Sequence, residues 1–173
     1  CIRDSWWDIA SMTNMLIGGN TMSAITYWHI IAGNLYQSSI SNNVLTGTNY
    51  GGIYVQNSDT VTITANEIQN HATGVGIVSS KNVVAHCNDI SGNSAWGMRN
   101  IIGSGDPMQW VVDARFNWWG DASGPYHPTL NPSGIGDQVS DNVLFVPWKT
   151  APEGIVAPID IKPGSWPNSI NTK

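Results

Sequence analysis

Val61-Thr62-Ile63-Thr64-Ala65-Asn66-Glu67-Ile68 is the stretch whose reading decides the fold. Apolar residues alternate with threonine up to an asparagine, and an isoleucine stands two positions beyond it. Alternation with period two marks a strand with one buried face. The arrangement returns at Val83-Val84-Ala85-His86-Cys87-Asn88-Asp89-Ile90. Working outward, Asn20, Asn43, Asn66 and Asn88 are spaced by 23, 23 and 22 residues, and Asn117 follows after 29. The additional residues of the last interval fall in Ile102-Gly103-Ser104-Gly105-Asp106-Pro107, a loop by composition. Two positions after each anchor stand Met22, Leu45, Ile68, Ile90 and Trp119. Nine or ten positions after it stand His29, Gly52, Gly76 and Gly97, each followed by Ile30, Ile53, Ile77 and Met98. Independent columns at one period identify a repeat architecture.

The columns before each anchor read inward as Met15-Ser38-Val61-Val83-Val112, Ile17-Ile40-Ile63-Ala85-Ala114 and Gly19-Asn42-Ala65-Cys87-Phe116. Each repeat therefore holds a strand, an Asn turn, a short strand, a Gly-containing turn and a third strand such as Gly52-Ile53-Tyr54-Val55. Such a unit cannot bury its own apolar face, so units must stack. Stacked strands lie about 4.8 Å apart, which lets Asn20, Asn43, Asn66, Asn88 and Asn117 form a ladder of side-chain amides. A leucine-rich repeat has a similar period but needs a Leu-x-x-Leu-x-Leu frame, which is missing here. The expectation is an all-β solenoid of about five coils over residues 1–120. An irregular C-terminal cap follows over 121–150, then a linker and the start of a further module over 151–173.

Composition agrees. Only 11% of the 173 residues are charged, against roughly 25% in an average soluble protein. Asn and Gly supply 18 residues each, Ser 17 and Thr 12. Coiled coils and helical bundles need the Ala, Glu, Lys and Leu that are scarce here. Disorder needs high charge, and the chain is 41% hydrophobic. Seven basic residues and a net charge of −5 exclude a basic nucleic-acid binder. No run approaches the roughly 20 apolar residues of a transmembrane helix, and no signal peptide opens the chain. Starting at Cys1 and ending at Lys173, the sequence reads as one domain of a longer chain. Cys1 and Cys87 could pair, although the column beside Ala65 favours a buried free thiol at Cys87. No Asn-x-Ser/Thr acceptor occurs, which suits a prokaryotic chain.

Chemistry-bearing residues are few. On the outward face before the anchor the columns are Thr62-Val84-Asp113 and Thr64-His86-Arg115, so Asp113 and Arg115 share a face with His86 one coil away. A carboxylate, a cation and a base in that arrangement are the catalytic candidates; a surface ion pair beside a solvated histidine is the simpler reading. Asp59 and Lys81 share a column with Tyr36 and read as a salt bridge. Asp121, Asp137 and Asp141, among Gly and Ser, are candidate calcium ligands or turn formers. The third strand faces outward with Ile31, Tyr54, Val78 and Arg99, and nearby turns carry Tyr27, Trp28, Tyr50 and Trp96. From this stripe Trp28, Ile31, Tyr50, Tyr54, Val78 and Trp96 are the binding or assembly candidates, for sugar rings, another chain or the tail.

The runs Asn66 to Val78 and Gly52 to Val55 resemble the right-handed parallel β-helix family with pectin-lyase-like repeats, NosD-type proteins included. The run Phe116-Asn117-Trp118-Trp119-Gly120, continued by Gly124-Pro125 and on to Phe145, Pro147 and Trp148, looks like the cap of secreted prokaryotic members. Asp160-Ile161-Lys162-Pro163-Gly164-Ser165 is similar to the opening of a small extracellular module. The resemblance implies an extracellular or cell-surface protein. Enzymes of this fold use carboxylates with Arg or Lys on one sheet face, and lyases add calcium. No Asp-Asp pair, Gly-His-Gly run or Arg-Ile-Lys run occurs here. The NosD likeness raises copper, for which Met12, Met15, Met22, His29 and Cys87 are the soft donors; Met15, Met22 and Cys87 sit in inward columns and read as core. The expected function is an extracellular or cell-envelope structural β-helix, self-assembling through solenoid ends and aromatic stripes. The alternatives are a polysaccharide lyase or hydrolase and a glycan-binding β-helix. Expected partners are other copies, surface proteins or polysaccharide. No nucleic acid is expected, and no cofactor apart from calcium.

Overall fold

The computed structural model describes residues 12–47, 50–102 and 110–152. Cys1, Trp6, Trp7, the loop at 103–109 and the stretch 153–173 lie outside the described residues.

The strands form three parallel sheets. Sheet A runs from β1 (Met12–Thr13) and β2 (Leu16–Gly18), both paired with β5 (Leu35–Ser41), through β8 (Asp59–Thr64), β11 (Lys81–His86) and β14 (Val112–Asp113) to β15 (Val143–Leu144). Sheet B stacks β3 (Thr21–Ser23), β6 (Val44–Thr46), β9 (Glu67–Gln69) and β12 (Asp89–Ser91). Sheet C stacks β4 (Trp28–Gly33), β7 (Gly51–Gln56), β10 (Thr73–Val78) and β13 (Trp96–Ile101). The chain visits A, B and C in turn, so each repeat is one coil of a parallel β-helix. Among the described residues four coils are complete rather than five. In the last repeat only β14 forms before the chain enters the cap, where β15 adds a further parallel strand to sheet A.

The core is the stack of inward columns. Val61, Val83 and Val112 line up, beside Ile40, Ile63, Ala85 and Ala114, and all are buried. Leu45, Ile68 and Ile90 fill the sheet B side; Trp119, fully buried, takes their place in the last repeat and closes the interior. Two expected columns are corrected. Gly52 aligns with Gly74 and Gly97, and Ile53 with Val75 and Met98, so the third repeat is shifted by two residues from the Gly76-Ile77 alignment. The repeat of 22 is one residue shorter between sheets B and C, and a shift of two preserves alternation and so leaves no trace in it. Ala65 is exposed and Cys87 half-buried rather than inward. Gly19, Asn42, Ala65, Cys87 and Phe116 all have φ between 53° and 71°. This column is a left-handed bend that resets the alternation just before each ladder asparagine. Cys87 is a free thiol.

The bends explain the composition. Left-handed residues recur in columns at every corner, for example Asn34, Asn57 and Ser79 between sheets C and A. Asn is the non-glycine residue that tolerates this region best. The expected amide ladder is present. The Asn66 backbone N–H and Nδ2 donate to Asn88 Oδ1 at 3.0 and 2.9 Å, and Nδ2 also reaches Ile40 O at 2.9 Å. Asn66 Oδ1 accepts from Asn43 N and Nδ2 at 3.0 and 2.9 Å. The same pattern links Asn20 to Asn43 and Asn88 to Asn117. A serine ladder serves the corner between C and A: Leu35 N donates to Ser58 Oγ, and Ser58 N to Ser80 Oγ, each at 3.0 Å.

Neighbouring residues should therefore respond oppositely to mutation. Asn66→Ala strands buried donors of Asn43 and the carbonyl of Ile40, and is expected to cost about 3 kcal/mol. Ala65→Gly relieves a left-handed alanine and should stabilise by about 1 kcal/mol. Urea unfolding of the two variants against the parent measures both.

Candidate functional site

The outward columns of sheet A bring the predicted trio together. Val84 pairs with Thr62 and Asp113, and His86 with Thr64, as the spacing implied. Arg115 grips Asp113 through Nε to Oδ1 at 2.8 Å and Nη2 to Oδ2 at 2.7 Å. His86 Nε2 lies 2.9 Å from Asp113 Oδ1. That is ion-pair distance, although the ring nitrogen has no aligned hydrogen-bond acceptor. The Arg115 guanidinium holds the Asp113 carboxyl well below the usual carboxylate range. A carboxylate so stabilised is a poor base. Lys81 Nζ lies 3.4 Å from Asp59 Oδ2, with Tyr36 in register beside Asp59, the surface pair read from the columns.

Five of the six binding candidates meet on the outer face of sheet C. Trp28, Ile31, Tyr50, Tyr54 and Val78, with Tyr27, line a groove of about 560 Å³. Trp96 sits at its edge, with the Arg99 guanidinium carbon 5.7 Å from its ring centre. The outward column is Ile31-Tyr54-Gly76-Arg99; Val78 belongs to the next one, with Gln56 and Ile101. Trp28 packs against Tyr54 at 5.1 Å between ring centres and edge-on to Tyr50 at 5.7 Å. Its indole lies over two glycines on adjacent strands. A Cβ at Gly51 would fall 2.2 Å from the ring, and one at Gly76 2.9 Å from it.

The calcium candidates are not gathered. Asp121 accepts from Ser123 N and Oγ in a turn. Asp141, highly exposed, lies 3.3 Å from His127 Nε2. Asp137 is turned to a third role that the sequence reading missed. At the corner between sheets B and C runs a buried polar chain. His29 Nδ1 is 3.0 Å from His71 Nε2, and His71 Nδ1 is 3.1 Å from Asn93 Oδ1. Asn93 Nδ2 and N donate to Asp137 Oδ2 at 2.7 and 2.9 Å. Donor logic fixes the tautomers. Asn93 Oδ1 only accepts, so His71 Nδ1 carries the proton and Nε2 accepts from His29 Nδ1. His29 Nε2 is then a bare lone pair, and it is buried with no partner among the described residues. The available signal was a polar column five residues after the anchors: Asn66 is followed by His71 as Asn88 is by Asn93.

Burial pushes the His71 imidazole down to about 4 and the Asp137 carboxyl up to about 6. The two act oppositely on stability. His71 stabilises the fold fully above the ordinary 6.5, and loses that contribution as pH falls toward 4. Asp137 penalises the fold as pH rises from the ordinary 3.8 through 6. Asp137→Asn keeps an acceptor for Asn93 and removes the charge. The variant should melt higher than the parent near neutrality and match it near pH 4, its stability falling steadily with acid where the parent's is nearly flat. Thermal melts across this range by circular dichroism read the difference.

A family model described as "Periplasmic copper-binding protein (NosD)" matches residues 8–117. No curated protein and no solved structure matches the chain. Copper sites draw on imidazole, thiolate and thioether donors. Here His29 and His71 face each other at 3.0 Å as a hydrogen-bonded pair. Met22 packs partly buried against the core, Met12 and Met15 are exposed on the first coil, and Cys87 stands at a bend. No three of His, Cys, Asp or Glu converge among the described residues, so the residues present do not fit that metal. The match runs through every complete coil and over more than half of the chain: this protein belongs to the NosD family.

Proposed function

We propose that this chain is a cell-envelope structural β-helix, a scaffold that carries out no turnover. The observation that carries this reading is the state of Asp113, whose two oxygens are both taken by Arg115. Eliminative cleavage of a uronate needs a free base, and glycoside hydrolysis needs two carboxylates roughly 5–10 Å apart. On sheet A, Asp113 is engaged by Arg115 and Asp59 is paired with Lys81; on sheet B, Glu67 and Asp89 stand in register on adjacent strands, closer than a water-activating pair requires. The groove on sheet C has neither a carboxylate nor a histidine among its lining residues. The family description supports an envelope location. No helix among the described residues is long and apolar enough to cross a membrane. The ladders at every corner favour a scaffold role, since they rigidify the coils without creating reactive groups.

Incubation with a panel of uronate polysaccharides, with and without calcium, tests the reading by the absorbance of unsaturated products and by reducing-end release. Neither signal is expected. Product formation that disappears in Arg115→Ala would overturn the scaffold assignment and return the trio to a catalytic role.

A further inference from the structure

We propose that the groove on the outer face of sheet C binds a phosphocholine group, its trimethylammonium boxed by Trp28, Tyr50 and Tyr54 and its phosphate held by Arg99. This goes beyond the scaffold reading, which requires no ligand. The aromatic rings form a box and not a platform. Trp28 lies across two neighbouring strands only because Gly51 and Gly76 carry no side chain, so one face of the indole rests on backbone. The Tyr50 ring is inclined at 71° to the indole and the Tyr54 ring at 46°, with ring centres 5.7 and 5.1 Å from it. Tyr27 backs Tyr50 at 4.7 Å. A flat ligand needs coplanar rings to stack on, whereas inclined rings surround a rounded group. The faces of Trp and Tyr are the negative parts of their quadrupoles, so the rounded group they favour is a cation.

The lining decides which cation. It holds no carboxylate, and its polar side chains are Gln56, Thr73 and the tyrosine phenols beside Arg99. A primary ammonium entering it would give up N–H hydrogen bonds to water and recover few of them. A quaternary ammonium has no N–H to satisfy, and its methyl groups are apolar. The site therefore favours the N-methylated cation over the free amine.

Arg99 supplies the other half of the site. It is the sole charged residue lining the groove. It stands in register with Gly76, over which the indole ends, one interstrand spacing of about 4.8 Å away. Arg99 rests on Trp96 and forms no ion pair among the described residues. Its guanidinium fork is thus open to the paired oxygens of a phosphate. Beside a lone cation such as choline, Arg99 is repulsive. A ligand that carries an anion two carbons from its ammonium turns that repulsion into attraction, and phosphocholine has this form.

The test is titration of phosphocholine, choline and phosphoethanolamine into the full chain, followed by tryptophan fluorescence and calorimetry. Phosphocholine should bind about tenfold tighter than phosphoethanolamine. Arg99→Gln should weaken phosphocholine about tenfold without weakening choline. Tyr54→Ala, checked for folding by circular dichroism, should weaken phosphocholine; it replaces Trp28→Ala should that variant not fold. Flotation with phosphatidylcholine vesicles, against phosphatidylglycerol vesicles, separates the two sources of the group. Co-flotation competed by free phosphocholine assigns a lipid headgroup, and binding of free phosphocholine without co-flotation assigns a soluble molecule. Three results would overturn the proposal: no binding of phosphocholine, equal binding of phosphoethanolamine, or binding indifferent to Arg99→Gln. Self-association abolished by Tyr54→Ala, without phosphocholine binding, would assign the face to a second copy instead. The scaffold reading falls only to product formation, so the two ideas fail separately.

Discussion

The hydrogen bond from one turn to the side-chain oxygen of the next turn is the constraint on which this molecule rests. Parallel stacking pairs backbone with backbone even at most bend residues, but at each corner the N–H of Asn43 or Asn66, of His71, or of Leu35 or Ser58 goes instead to a side-chain oxygen of the next coil. Buried and unpaired, each would cost about as much as several surface contacts supply. The chain answers with a separate side-chain ladder at each of its three corners: Asn20 to Asn117 between A and B, His71-Asn93-Asp137 between B and C, and Ser58-Ser80 between C and A. The repeat length follows from this. A repeat of 22 or 23 residues returns each acceptor beneath the donor it must meet.

With the interior given over to ladders and branched aliphatic residues, charge is confined to outward columns, and these vary without disturbing the coil. Sheet A carries the Asp113–Arg115 pair and sheet C the aromatics. Sheet B stacks Glu67 on Asp89, where burial, reinforced by Asp89, pushes the Glu67 carboxyl up. Each outer face thus has its own chemistry on one backbone. Such a scaffold makes fold a poor guide to activity and the outward columns the better one.

The sequence made legible whatever repeats with the anchors. The three-strand unit, the asparagine ladder, the sheet A columns and the Asp59–Lys81 pair follow from spacing alone, because parallel stacking converts a constant interval into contact. What escaped did so for two physical reasons. Alternation has period two, so the two-residue offset that replaced Gly76 by Gly74, and moved Val78 out of the Tyr54 column, is invisible to it. Alternation also assumes extended backbone, and it fails at Ala65 and Cys87, where a left-handed residue turns the chain and breaks the phase. The buried chain from His29 to Asp137 was harder still. Its members have three different side chains, and the last comes from the cap, 44 residues beyond Asn93, so the repeat interval relates only His71 to Asn93.

That buried chain bears on the groove. Trp28 and His29 are consecutive residues of β4 whose side chains face opposite ways, the indole over Gly51 and Gly76 and the imidazole onto His71. The strand that carries the aromatic floor on the outside thus also carries a hydrogen bond on the inside, and that bond depends on His71 holding its proton on Nδ1 for Asn93. Asn93 is held in turn by Asp137, which the cap delivers. Closing the solenoid and shaping its outer face are then parts of one construction. A cap that met only the apolar end of the core would seal the interior, but it would leave Asn93 without the carboxylate that its backbone N–H and side-chain amide both meet.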